Sequence, residues 1–203
     1  MAGKKWFWSD THLMHENILK FTDSNEQLVR GKVFKTIKEH DEALLDNWNS
    51  CVKEGDKGYW LGDVGVGVKE QSAFTELLKK FKGNLAMYLG NHDHIKQPAY
   101  RRFRYIDLWS GGKFKPHNFV CSHIPLRPDT MRDGEYNVHG HIHHNLVGQW
   151  RPEFLVSGDN IGATVFAPDP YYINVCVEHT DYKPVELDEI IGRIKKHSGQ
   201  TEV

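Results

Sequence analysis

The sequence predicts an α/β domain, and three observations carry that prediction. Short aromatic and β-branched runs stop abruptly at polar residues, helical patterns lie between those runs, and a length of 203 residues suits one packed core. The runs are Trp6-Phe7-Trp8 before Asp10, Tyr59-Trp60-Leu61 before Asp63, Met87-Tyr88-Leu89 before Asn91, Phe119-Val120-Cys121 before His123, and Tyr136-Asn137-Val138 leading to His141. Continuous apolar runs of this length read as strands buried on both faces.

The elements follow in order. Ile37, Leu44, Leu45, Trp48 and Val52 share one helical face, and Phe74, Leu77, Leu78 and Phe81 repeat at i, i+3, i+4, i+7. Tyr105 to Trp109 reads as a strand, with Gly111-Gly112 as a hairpin turn toward the strand that reaches Cys121. Beyond the histidine cluster, Phe154-Leu155-Val156 and Tyr172 to Val177 read as strands, and Gly158 to Pro170 as a surface loop rich in Gly, Pro and Asp. Leu187 to Lys196 closes the chain as an amphipathic helix with Leu187, Ile190, Ile191 and Ile194 inward. Residues 1–197 are then one domain and 198–203 a disordered tail.

Composition narrows the function. With 39% apolar and 26% charged residues the chain is an ordinary folded protein, and a net charge of −1 gives no long-range field for gathering nucleic acid or an anionic membrane. The local strip Arg101, Arg102, Arg104 reads as a solvated face. Too few apolar residues precede Asp10 for a signal-peptide core, and no apolar run spans a bilayer, so the expected location is the cytoplasm. Cys51, Cys121 and Cys176 have no paired spacing, which argues against a disulfide framework or a thiolate zinc site. Histidine is the anomaly: there are thirteen, three of them in His141-Ile142-His143-His144. In open α/β sheets ligands bind beyond the carboxyl ends of the strands, so the five polar strand ends could converge on one site.

The ordered set Asp10-Thr11-His12, Gly62-Asp63-Val64, Gly90-Asn91-His92-Asp93, Ser122-His123 and Gly140-His141-Ile142-His143 resembles the calcineurin-like metallophosphoesterases, small bacterial and phage members in particular. That resemblance implies a four-layer α/β/β/α sandwich of two mixed sheets flanked by helices, with a dinuclear metal centre. One ion would be held by Asp10, His12, Asp63 and His143, and the other by Asp63, Asn91, His123 and His141. His92 would be the general acid and Asp93 its orienting partner, with a water activated between the ions as nucleophile. His15 and Arg127 are candidate substrate contacts.

The residue types make chemical sense on their own terms. Carboxylate, imidazole and amide oxygen without thiolate suit two divalent ions, manganese first, with Fe²⁺, Zn²⁺ or Ni²⁺ as the others. Asp63 is the natural bridge, because a carboxylate offers several lone pairs and its charge offsets the repulsion between cations. Gly62, Gly90 and Gly140 precede ligands where the backbone must turn sharply or come close to an ion. The expected activity is hydrolysis of a small phosphate ester or nucleotide, monoester or diester. A nuclease of the same superfamily, a non-catalytic binding module on this fold and a histidine-rich metal store are the rival readings. A nuclease would call for more positive charge, a binding module would lack ligands, and a store would bind many ions weakly.

Overall fold

Three of the aromatic runs form the parallel centre of the larger sheet. The computed structural model describes residues 3–110, 114, 117–152 and 164–199. Strands β1 (Lys5–Trp8), β2 (Lys57–Trp60), β3 (Asn84–Tyr88) and β4 (Ile106–Asp107) lie parallel in that order, and β10 (Val185–Glu186) adds antiparallel to the other edge of β1. A second sheet holds β5 (Phe119–Cys121), β6 (Tyr136–His139) and β9 (Tyr172–Asn174), all parallel. With helices α1 (Ile37–Cys51), α2 (Gln71–Lys79) and α3 (Leu187–Ser198), the protein is a mixed α/β fold.

Both faces of the larger sheet are covered, so alternate residues of a strand enter different cores. Trp6, Trp8, Trp60 and Met87 pack with Leu44 and Trp48 of α1 and Phe74 and Leu78 of α2. Phe7 and Tyr88, on the opposite face, meet Phe119, Cys121, Tyr136 and Val138 of the second sheet and Ile190 of α3. At the centre of the first core the rings of Trp8, Trp48 and Trp60 lie 4.7, 5.0 and 5.2 Å apart, in tilted and edge-to-face arrangements that suit aromatic quadrupoles.

Local chemistry sets the helix ends. The Thr36 hydroxyl accepts the Glu39 N–H at 3.1 Å while the Glu39 carboxylate accepts the Lys35 N–H at 2.7 Å, a variant of the capping box that starts α1. In α3, Asp188 and Glu189 occupy the first turn and Lys195, Lys196 and His197 the last, matching the helix dipole, and Gly199 ends it at φ +72°. Ser198 and Gly199 are therefore the end and cap of a helix rather than the start of a tail, and 200–203 lie outside the described residues.

Two other expectations change. Part of the expected Gly158–Pro170 loop is a strand: β8 (Thr164–Pro168) pairs antiparallel with β7 (Gly148–Pro152), with Trp150 opposite Phe166 and their rings 5.6 Å apart. Gly, Pro and Asp mark the ends of that hairpin, and cross-strand aromatic pairing decides its middle. The strand expected at Tyr172–Val177 stops at Asn174, and Val177–His179 forms a 3₁₀ turn. The turn at Gly111-Gly112 and the strand at Phe154-Leu155-Val156 lie outside the described residues, although Trp109 does bridge antiparallel to Ser122.

Register then places the site. Trp8 stands beside Trp60, Trp60 beside Met87, and Cys121 beside Val138, so the strands end level and their C-terminal residues face one region. The two sheets are joined there, since the Ser9 N–H donates to the Val175 carbonyl at 3.0 Å and the Val177 N–H to the Ser9 carbonyl at 3.2 Å. No helix among the described residues is long and apolar enough to cross a membrane.

Candidate metal centre

Each polar strand end contributes a side chain to one cluster. Asp10, His12 and His143 form one group whose potential ligand atoms lie within 4.8 Å of one another, and Asp63, His123 and His141 form a second. Asp63 faces both: its Oδ2 lies 3.7 Å from His12 Nε2 and 3.4 Å from His123 Nε2. Asn91 joins the second group through Oδ1, 3.0 Å from His123 Nε2. All seven residues that the sequence offers as metal ligands are thus brought together, from strand ends as much as 133 positions apart in the chain (143 − 10).

The backbone is bent to reach this geometry. Asp10, His12, Asp63, His141 and His143 all have left-handed φ, from +48° to +71°, a region costly for residues with a Cβ and concentrated at functional sites. Gly140 and Gly90 permit the close approach. A Cβ on Gly140 would overlap Ser9 Oγ and Asp10 Oδ2, and one on Gly90 would overlap the backbone nitrogen and carboxylate of Asp63.

Hydrogen bonds decide which atoms remain free. Asp10 Oδ2 accepts from Ser9 Oγ at 2.5 Å, the His141 N–H at 2.8 Å and Cys176 Sγ at 3.1 Å. Its other oxygen, Oδ1, is buried without a hydrogen-bond partner among the described residues, as is His12 Nε2. Two orphaned buried acceptors aimed at one space would be expensive unless a cation filled it, so the residues fit a metal. His123 donates Nδ1–H to the Leu61 carbonyl at 2.7 Å and His143 donates Nδ1–H to Glu178 Oε1 at 2.9 Å, which directs both Nε2 atoms to the centre. Cys176 belongs to neither ligand group: its thiol donates to Asp10 Oδ2, and burial, with Asp10 beside it, pushes its pKa up.

Electrostatics agrees with that division. Burial opposes charge on Asp10, but His12, His123 and His143 hold its carboxyl well below the usual range. Burial lowers His12 to about 4 and so keeps it a neutral, ligand-ready imidazole at pH 7. His123 is the opposite case: burial works against its charge, yet the bond to Asp63 and the facing carboxylates raise it to about 9. A metal ion bound between His123 and Asp63 would therefore compete with the His123 proton.

The remaining candidates divide. His92 is exposed at the mouth, its ring 5.9 Å from that of His12 and its backbone N–H donating to Asp63 Oδ1 at 3.0 Å. The Asp93 side chain, among the described residues, hydrogen-bonds to groups other than the His92 ring. Its carboxylate accepts the N–H groups of Asp63, Val64 and Gly90 at 2.8 to 2.9 Å and the Tyr100 hydroxyl at 2.7 Å, so it ties the second and third ligand loops together. His15 stands behind a ligand, its Nδ1 3.2 Å from His12 Nδ1. Arg127 is exposed and forks onto Asp129 at 3.2 Å. Trp109 and Trp150 are exposed, whereas Tyr100 is core.

Sequence reasoning missed Arg30, Glu178, His40 and Asp41. Arg30 is fully buried, donating Nη2–H to the Asp10 carbonyl at 2.5 Å and Nη1–H to the Thr11 carbonyl at 3.0 Å. His40 Nε2 lies 3.1 Å from Arg30 Nη1, and His40 donates Nδ1–H to Asp41 at 2.8 Å. Asp41 in turn holds the Met14 N–H at 2.9 Å. None of these residues sits in a recognisable spacing with the ligands, and no sequence signal points to them.

Known proteins resemble the chain across most of its length. MJ1445 of Methanocaldococcus jannaschii is 29% identical over 193 residues, covering 95% of this chain and 92% of its own. The gene 66 protein of Mycobacterium phage L5 is 29% identical over 177 residues, covering 70% of this chain and 78% of its own. The crystal structure of AQ665 from Aquifex aeolicus, a protein of unknown function, superposes with a TM-score of 0.64 at 25% identity, covering 93% of this chain and 97% of that one. A family model, calcineurin-like phosphoesterase, matches residues 4–182, and with that match spanning both ligand groups the chain belongs to the calcineurin-like phosphoesterase family.

Proposed function

We propose that the protein hydrolyses phosphate esters with two divalent ions, one held by Asp10, His12, Asp63 and His143 and the other by Asp63, Asn91, His123 and His141. The observation that carries this reading is the position of Asp63 Oδ2, within 3.7 Å of a histidine of each group. When bound, such ions supply a water that ionises near neutral pH and positive charge for the phosphoryl oxygens. The donor set suits Mn²⁺ first, then Fe²⁺, Zn²⁺ or Ni²⁺.

The chain's own groups do the rest. His92, exposed beside the centre yet outside both ligand groups, gives its proton to the departing alkoxide. Its backbone N–H bond to Asp63 fixes the loop that carries it. His15 holds the His12 ring from behind. A cavity of about 750 Å³, walled by His141 and His143 together with Ile18, Phe21, Ile142 and Leu146, opens beside the ligands and suits the apolar arm of a small ester. The net charge of −1, which gives no long-range field for gathering a polyanion, favours a small-molecule substrate over a nucleic-acid backbone.

Metal-stripped protein resupplied with Mn²⁺ is expected to cleave para-nitrophenyl phosphate or bis-para-nitrophenyl phosphate, with Asp63→Asn as the blank. The preferred ester separates a monoesterase from a diesterase. Failure on both esters with each of the four metals, while two ions are bound, would turn the reading toward a binding module.

A further inference from the structure

Glu178 and Arg30 are a buried ion pair. Glu178 comes from the 3₁₀ turn after β9 and Arg30 from the segment before α1, 148 positions apart. The contacts of Glu178 converge on one oxygen: Oε1 accepts from Arg30 Nε at 2.8 Å and from His143 Nδ1 at 2.9 Å, and it lies 2.7 Å from Arg30 Nη2. Its Oε2 is buried without a hydrogen-bond partner among the described residues.

A pair of this kind is a poor stabilising device. Desolvation consumes most of its attraction, apolar residues of similar size often serve as well, and an unsatisfied buried oxygen adds to the cost. Stability therefore does not account for the pair, but its contacts do. A carboxylate behind a ligating imidazole fixes which nitrogen carries the proton, and here it leaves His143 Nε2 directed at Asp10 Oδ1, 3.7 Å away. Arg30 reaches the same ion position from its other side, because its remaining donors hold the carbonyls of Asp10 and Thr11, where Asp10 is kept at φ +58°. Burial opposes charge on Glu178, but Arg30 and His143 hold its carboxyl down to about 2, so it stays ionised at neutral pH.

We propose that Glu178 is a positioning residue for His143, and that Arg30 joins Glu178 to the Asp10–Thr11 backbone as one unit. The ion position of Asp10, His12 and His143 then depends on both residues, whereas that of Asn91, His123 and His141 does not. This rests on the two-ion reading above. Among the described residues no carboxylate backs a histidine of the second position in this way: His123 is backed by the neutral Leu61 carbonyl, and His141 Nδ1 faces His123 Nε2 at 3.2 Å. Lysine cannot replace Arg30, since a single ammonium cannot span two carbonyls and a carboxylate in the fixed directions of a guanidinium.

The test is calorimetric titration of metal-stripped wild type, Glu178→Gln and Arg30→Lys with Mn²⁺, with electron paramagnetic resonance to separate isolated from spin-coupled ions. Wild type is expected to show two binding events. In Glu178→Gln one event should weaken about 10- to 100-fold while the other holds, and Arg30→Lys should move the same event. Two unchanged events in Glu178→Gln overturn the positioning role and leave the two-ion reading standing, whereas a wild type that binds no ion overturns both. A measurement on the unaltered protein covers the case of a variant that fails to fold. In Zn²⁺-loaded wild type, nitrogen NMR of the imidazoles should find His143 protonated at Nδ1, and protonation at Nε2 would overturn the proposal.

Discussion

Asp63→Asn is expected to lose hydrolysis down to the level of metal-free protein and to bind at most one ion tightly. Among the described residues, Asp63 is the carboxylate that approaches histidines of both ligand groups, at 3.7 and 3.4 Å. Asparagine keeps the shape and can still accept the His92 N–H, but it removes the charge that offsets the repulsion between two cations. It also turns an NH₂ group toward one of them. A metal ion contributes several kcal/mol of transition-state stabilisation, so losing the pair costs on the order of 10³-fold or more in turnover. Metal analysis of the purified variant alongside its turnover checks this, and two tightly held ions in Asp63→Asn would sink it.

His92→Ala should behave differently, keeping both ions and losing roughly 10²- to 10⁴-fold in turnover on esters with poor leaving groups. The imidazole belongs to neither ligand group, and the backbone N–H bond to Asp63 survives the substitution. Para-nitrophenolate leaves readily without a proton, so the loss on that ester should be much smaller than on an alkyl ester. Comparing wild type and variant across leaving groups of rising pKa measures the dependence directly. An undiminished rate on the alkyl ester would remove the general acid from the mechanism.

The contrast between these residues and the ones that escaped notice is physical. Ligand positions were legible because parallel strands buried on both faces must be apolar until they end, so Asp10, Asp63, Asn91, His123 and His141 stand out as abrupt polar stops. The same logic found β1, β2, β3, β5 and β6, and the 3.6-residue period found the three α-helices among the described residues. Arg30 and Glu178 interrupt no periodic pattern, and only the three-dimensional join between Ser9 and Cys176 brings Glu178 to Asp10 and His143. Asp93 shows a second limit. Its neighbour in sequence is His92, but three of its partners are the backbone N–H groups of Asp63, Val64 and Gly90, which carry no signature in side-chain identity. Strand β8 was missed for a third reason, since Gly, Pro and Asp around it speak of turns while the strand itself depends on pairing with β7.

The two-ion centre is tested most directly by diffraction from crystals soaked in Mn²⁺, with anomalous scattering locating the ions. The predicted result is two peaks, one within bonding distance of Asp10, His12 and His143 and the other of Asn91, His123 and His141, with Asp63 reaching both. A single peak, or peaks away from Asp63, would contradict it.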